Sequence, residues 1–385
     1  MSAPFLSLKW FPRFLRGVLL ALLGGWALQA TGLVAGSLPP GASAWPDTDF
    51  SKTSIDLEEI LSGGPPKDGI PAIDQPRFVS PQEAAEWLDP REPVIIVVEG
   101  GDARAYPLQI LIYHEIVNDT VGGRPMSITF CPLCNASLVF DRRVDGRLLD
   151  FGTTGLLRKS DLVMYDRQTE SWWQQFTGTA IVGELTGTEL QQIPSAIVAF
   201  EDFAARHPDG KVLSRKTGYS RPYGRNPYRG YDRIGNIPFL LQDPVDERLP
   251  AMERVIGVSR GDAHRIYPFS LFERQPVIND VFEGVPVVVF SKGGTLSVLD
   301  QGEIQSSRKV PSAAAYRREV GRRVLRFEAR DGIIRDRETG SQWNLFGEAV
   351  AGRLKGARLE PLQGGVHFAF AWLAFRPESE IYGRP

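Results

Sequence analysis

Beyond residue 45 the apolar positions fall in short runs broken by glycine-rich turns, and few of them recur with a helical period. Residues 94–98 and 285–290 are β-branched and aromatic runs of strand length. The first is closed by Gly100-Gly101-Asp102 and the second by Ser291-Lys292-Gly293-Gly294. Residues 137–143 and 147–151 flank Asp145-Gly146, and residues 324–329 and 333–337 flank Asp331-Gly332. Asp-Gly suits a two-residue hairpin turn because both central positions need positive φ. Residues 110–117 and 124–130 read as a further hairpin. Short helices are predicted at 81–88, 199–206, 312–320 and 369–375. The pattern therefore predicts a mainly β (α+β) fold with a few short helices.

The pattern also repeats. Arg104-Ala105-Tyr106-Pro107 is answered by Arg265-Ile266-Tyr267-Pro268, and Val117-Asn118-Asp119 by Ile278-Asn279-Asp280. Asp166-Arg167 and Trp173 are answered by Asp336-Arg337 and Trp343, and Gly183, Gly187 and Leu190 by Gly352, Gly356 and Leu359. The order is kept throughout, which predicts two diverged tandem copies of one β-rich unit, at 92–215 and 252–385. Residues 45–91 form an N-terminal extension, whose stretch 63–73 has the composition of an ordered loop. Residues 216–251 connect the copies.

The first 44 residues differ in kind. Lys9, Arg13 and Arg16 precede an apolar run, 17–28, that continues with little polarity to Gly36, and Ala42-Ser43-Ala44 offers a small-x-small cleavage site. This is the layout of a secretory signal. If uncleaved, residues 17–36 are just long enough to span a bilayer. The expectation is an exported protein, periplasmic or extracellular, with the cytoplasmic membrane reached only through this segment if it is retained.

Composition narrows the chemistry. Of 385 residues, 42% are hydrophobic, 10% aromatic and 23% charged, with a net charge of −2, so disordered, collagenous and coiled-coil chains are excluded. Near-neutral charge gives no reason to expect nucleic acid. With only two Cys (Cys131, Cys134) and four His (His114, His207, His264, His367), neither a disulfide framework nor a four-thiolate site can be built.

Residues present in both copies are read as framework: Asn118-Asp119 and Asn279-Asp280 as turn chemistry, Asp166-Arg167 and Asp336-Arg337 as structural. Residues peculiar to one copy are candidates for function. Phe130-Cys131-Pro132-Leu133-Cys134-Asn135 stands against Phe290-Ser291-Lys292-Gly293-Gly294, and His114 stands against Gln275. Covalent haem is excluded because Asn135, not His, follows the second Cys. A thioredoxin-like site needs a helix after the pair, and Ala136-Ser137-Leu138-Val139-Phe140 reads as a strand. Cys-x-x-Cys on a strand-to-strand turn looks like one knuckle of a metal site, completed by His114 or another distant group, by solvent or by a second chain, with Met164 or Met126 as further candidates and copper or zinc as the metal. A redox dithiol and a plain disulfide are the alternatives. His207, His264 and His367 read as ordinary surface or packing residues.

Gly257-Val258-Ser259-Arg260-Gly261 matches a hydrolase elbow, but it reads as a strand entering a hairpin, not as strand–turn–helix. No nucleotide loop or NAD fingerprint is present. In the connector, Tyr219, Arg221, Tyr223, Arg225, Tyr228, Arg229 and Tyr231 interleave in a way that could stack on a sugar or polyanion. The favoured reading is an extended connector packing on both units.

The run from 63–73 through Ala105-Tyr106-Pro107, residues 114–119, Cys131-Pro132-Leu133-Cys134 and residues 161–166 resembles an exported prokaryotic family of proteins of unknown function, DUF3179. Members of that family often carry Gly where this chain has Asn135. The resemblance implies no activity. The expectation is an exported protein with a Cys/Cys/His site that binds copper or zinc or acts as a redox dithiol. The rival is a module that binds a small molecule or partner protein in the groove between the copies, with the connector as part of its wall.

Overall fold

The computed structural model describes residues 38–384. The predicted signal over residues 1–44 thus lies largely outside the described residues. Among them, no helix is long and apolar enough to cross a membrane.

The described chain is mostly strand, with four short α-helices. Three sheets of four or five strands make up most of the first half, beside a two-stranded ribbon of Arg143–Val144 and Arg147–Leu148. Ala196–Ala199, Pro93–Glu99, Asp102–Pro107, Lys211–Leu213 and Phe78–Val79 lie side by side in one sheet, and Gln192–Ile193, Ala136–Asp141, Arg124–Cys131 and Ile116–Val121 in the next. The third runs Ile60–Ser62, Phe151–Arg158, Asp161–Asp166, Trp172–Gln174 and Thr179–Val182. The second half passes through sheets of like order. One runs Gly364–Phe368, Arg254–Arg260, Ala263–Pro268 and Glu380–Ile381. Another runs Val277–Phe282, Val285–Leu296, Lys309–Arg317 and Glu360–Pro361, and the last Phe327–Arg330, Ile333–Asp336, Gln342–Trp343 and Ala349–Ala351. In each half the strand after the helix (Phe200–Arg206 or Ala369–Phe375) joins its sheet in parallel, against otherwise antiparallel neighbours.

Residues 45–91 are woven into the first half. Trp45 is 3% exposed and meets Tyr165 and Trp172 edge-on at 4.8 and 5.2 Å. The helix Pro81–Ala84 is started by a capping box in which Ser80 and Glu83 satisfy each other's backbone amides. The halves share one core: Phe130, Cys131, Cys134 and Trp173 of the first lie in one buried cluster with Val298, Leu299, Phe368 and Trp372 of the second.

Four expectations are corrected. Residues 312–320 are not helical; they belong to the strand Lys309–Arg317 and the short strand Glu319–Val320. Ala314 packs in one buried cluster with Ile96 and Val198 of the first half and Ala313 and Ala315 in another with Ile256 and Val258 of the second, so the strand is buried on both faces, and that packing overrides helix propensity. Ser291-Lys292-Gly293-Gly294 does not end its strand, which absorbs the glycines as a register shift between Lys292 and Thr295. Leu108–Leu111 is a helical turn, and the hairpin strand begins only at Ile116. Asn118-Asp119 and Asn279-Asp280 sit within strands, not turns. Asn118 clamps the backbone of Phe151 through Nδ2–H···O and N–H···Oδ1 bonds of 2.8 and 3.1 Å, and Asn279 clamps Phe327 at 2.8 and 2.8 Å.

Candidate metal centre

The strand Arg124–Cys131 turns back into Ala136–Asp141 over Cys131-Pro132-Leu133-Cys134-Asn135, with Cys131 opposite Ala136. The turn closes with Asn135 at φ 49°, a left-handed conformation that Asn tolerates better than most residues and Gly best. Asn135 thus closes the turn where Gly would fit best. Both sulfurs are unbonded thiols, 1% and 0% exposed.

The third member of the site comes from the neighbouring sheet. Lys159 and Ser160, at φ 52° and 66°, make a tight turn between Phe151–Arg158 and Asp161–Asp166. That turn carries Asp161 to the thiols. The Sγ atoms of Cys131 and Cys134 and a carboxylate oxygen of Asp161 all lie within 4.8 Å of one another. Cys134 donates its thiol to the Ser160 carbonyl at 3.4 Å. The other Asp161 oxygen, Oδ2, is held by the Gln174 side-chain amide at 2.7 Å and the Phe176 N–H at 2.9 Å. This fixes the carboxylate and leaves Oδ1 buried with no geometrically good hydrogen bond. Glu115, 7% exposed and at φ 58°, borders the group: its charge acts on Cys131, and it feels that of Asp161.

Every acid here is disfavoured as an anion. Burial pushes Asp161 up to about 6 and Glu115 to about 8, the latter helped by Asp161. Burial likewise raises the Cys131 thiol, and raises that of Cys134 well above its ordinary value. Four acidic side chains thus converge in a dry space, and Asp161 is met there by neutral donors rather than by a cation. Left-handed backbone at Glu115, Asn135, Lys159 and Ser160 surrounds the same spot, as strained residues often do at functional sites.

The connector and the second half close the site. Tyr228 and Tyr231 are largely buried; burial, then the charges of Glu115 and Cys131 on Tyr228 and of Cys134 on Tyr231, raise their hydroxyls. Phe368 of the second half donates its N–H to the Cys134 carbonyl at 2.9 Å. Connector and second half are bound by Asp232, fully buried, which pairs with Arg254 at 2.8 Å and with Arg308 at 2.7 Å.

Of the residues singled out in the sequence, Cys131 and Cys134 come together and His114 goes elsewhere. Its Nδ1 meets the Pro71 carbonyl and its Nε2 the Tyr223 hydroxyl, both at 2.7 Å, so neither ring nitrogen is turned to the thiols. Met164, 0% exposed, lies three residues beyond Asp161 and so on the opposite face of that strand. Met126 is buried in its strand, paired with Asp119 and Asp141. Asp161 was missed because acids within strands carry no spacing signal. The available clue was contrast: Asp161 follows its two-residue turn where Ile333 follows Asp331-Gly332.

The connector does not behave as one surface. Tyr223, Tyr228 and Tyr231 pack against the first half's core, whereas Tyr219, Arg221, Arg225 and Arg229 are exposed. None of them lines the cavity of about 340 Å³ between the halves, which is walled by residues such as Ile96, Ile197, Ile256, Ala314, Phe346 and Val366. The groove and the connector, joined in the sequence-based rival reading, are separate places.

Fold and site together define a mainly β protein with a buried Cys/Cys/Asp cluster roofed by tyrosines. The chain belongs to the family described as protein of unknown function (DUF3179), whose family model matches residues 67–379. No curated protein and no solved structure matches it.

Proposed function

We propose that the chain is an exported protein of two diverged copies of one β-rich unit, and that the first copy holds a thiophilic metal on Cys131, Cys134 and Asp161. The matching sheet orders and the paired Asn118 and Asn279 clamps support the duplication. The basic and apolar N-terminal sequence supports export.

One observation carries the metal reading: two thiols and a fixed carboxylate converge within 4.8 Å in full burial, and the facing oxygen of Asp161 has no good hydrogen-bond partner. Taking acids out of water without a counter-charge is costly, and a bound cation offsets that cost. Gln174 and the Phe176 amide then orient the ligating carboxylate from behind. Two sulfurs and one oxygen favour zinc over copper, which prefers softer sets in its reduced state. A redox dithiol fits less well, since an attacking thiol needs access and a lowered pKa, and both thiols here are buried and raised.

The test is elemental analysis of protein purified from its native compartment, beside Cys131→Ser and Asp161→Ala variants checked for folding by circular dichroism. About one zinc per chain in the parent and none in the variants is expected. A metal-free parent with a closed disulfide overturns the reading. A second reading is favoured by the cavity between the halves, whose volume and mostly apolar wall suit a small apolar molecule. Ile256→Trp would fill it and abolish such binding while leaving the metal in place.

A further inference from the structure

We propose that the loop at residues 234–239, with the arginines beside it, is a docking surface for an anionic lipid bilayer. Ile234, Ile237 and Phe239 are 63%, 82% and 49% exposed within six residues. Single exposed apolar side chains are ordinary on a protein surface, but a cluster at a loop tip marks an interaction site.

The exposure is built in. Asn236, the polar residue of the loop, donates its side-chain amide back to the carbonyls of Gly230 and Tyr231 at 2.8 and 3.1 Å. The Phe239 N–H donates to the Tyr231 hydroxyl at 3.2 Å, and Pro238 is buried beneath. The loop thus uses its polar group internally and presents its apolar ones to water.

Arg221, Arg229 and Arg233 are exposed and have no carboxylate within ion-pair distance among the described residues. The nearest acids along the chain are already paired: Asp232 with Arg254 and Arg308, and Asp243 with Lys159 at 2.6 Å. An apolar tip with a basic flank is the arrangement of segments that enter the headgroup boundary, where apolar side chains reach the acyl region and arginines stay among phosphates. The inference does not rest on the metal reading.

The test uses the full chain with Ile237→Cys carrying an environment-sensitive fluorophore; the native thiols, 1% and 0% exposed, are shielded from labelling, and the unsubstituted chain serves as blank. Because the N-terminal segment can itself hold the chain on a vesicle, the readout is depth at the label rather than co-sedimentation. With phosphatidylcholine vesicles containing phosphatidylglycerol, a blue shift and quenching by brominated acyl chains are expected. Both should be several-fold weaker on phosphatidylcholine alone and absent for a label at Val350→Cys. Arg229→Glu with Arg233→Glu should remove the difference between the two vesicles. A label that reports water on both vesicles overturns the proposal, as does an equal shift on both. A shift that appears only when a second protein is added overturns it in favour of a protein partner.

Discussion

In the first half the strand Arg124–Cys131 folds straight back over Cys131-Pro132-Leu133-Cys134, whereas in the second half Val285–Leu296 runs on through Gly293-Gly294 and returns only at Lys309. The lengthened hairpin's end, around Leu299 and Gly302, receives the connector's Gly230 and Asn226 by backbone hydrogen bonds, so it acts as a brace. The short one buries two thiols. A second contrast lies one sheet away. The second half turns at Asp331-Gly332, the sequence such turns prefer, and the first turns at Lys159-Ser160, two residues that adopt left-handed backbone reluctantly. That conformation costs roughly 1–3 kcal/mol per residue. It is kept where it aims the Ser160 carbonyl and Asp161 at Cys134. The half without the thiol pair makes the matching turn with residues that take left-handed backbone readily.

Strand pairing also refines the comparison between the halves. Thr129 lies opposite Ile116 and Phe290 opposite Val277, so the register sets Cys131 against Lys292 and not against Ser291. Lys292 is exposed and pairs with Asp202. A buried thiol in one half thus answers to a surface ion pair in the other.

The largest expected effect tests the framework that the halves share. The Trp173 indole N–H donates to Asp166 at 2.9 Å, and that of Trp343 to Asp336 at 2.9 Å. Each ring is buried, and removing either by Trp→Ala should cost about 3–5 kcal/mol, read as a fall in melting temperature. Trp173→Ala should also lower bound metal, because Trp173 precedes the Gln174 that orients Asp161; Trp343→Ala should not. Equal metal content in both variants would break the assignment of the site to the first half.

Metal removal comes next. Chelation should destabilise the parent chain by about 3 kcal/mol if zinc is present near a hundredfold above its dissociation constant, and leave Asp161→Ala unmoved. Thermal melts with and without chelator measure this. A chelator effect of equal size in both chains would place the metal elsewhere.

The sequence made the strands, the Asp-Gly hairpins and the cysteine pair legible because each rests on neighbours along the chain. It did not yield Asp161, Glu115 or the tyrosine roof, which meet the thiols only through pairing between distant strands and the path of the connector. His114 was drawn into the site because the second half has Gln275 in its place. Its ring is satisfied by Pro71 and Tyr223, and only the fold brings those two to it. Residues 312–320 misled for the opposite reason: three alanines suggest a helix, and a strand buried on both faces takes the same residue.

A smaller effect is a dependence on pH carried by one buried carboxyl of the first half. Glu92 is 4% exposed, and burial lifts its carboxyl to about 7 despite bonds from the Asp89 N–H and the Gln109 side chain. A carboxyl raised on folding stabilises fully below its unfolded value, near 4.5, and that stability is lost as pH rises through about 7. The loss amounts to roughly 3 kcal/mol at most. Glu92→Gln should remove its share of the fall in stability between those pH values and leave the part carried by Glu115 and Asp161, measured by urea unfolding of parent and variant at several pH values. Glu253, half-exposed and accepting the Ser270 N–H, is the matching control from the second half.

The smallest difference separates two clamps that look alike. Asn118 and Asn279 each bind both backbone groups of the strand beside them, but Asn118 is 3% exposed and also donates to Asp74 at 2.8 Å. Asp74 in turn pairs with Arg167 at 2.5 Å. Asn279→Ala uncovers groups that water can partly reach, and should cost about 1 kcal/mol. Asn118→Ala leaves the Phe151 amide and carbonyl buried without partners and strips Asp74 of a donor, so it should cost about 2 kcal/mol. Urea midpoints compared at unchanged slope give the two values directly. If they agree, the Asp74 bridge adds nothing. If Asn118→Ala is the more costly and Asp74→Ala recovers only the excess, the N-terminal extension stabilises the first half through this one contact.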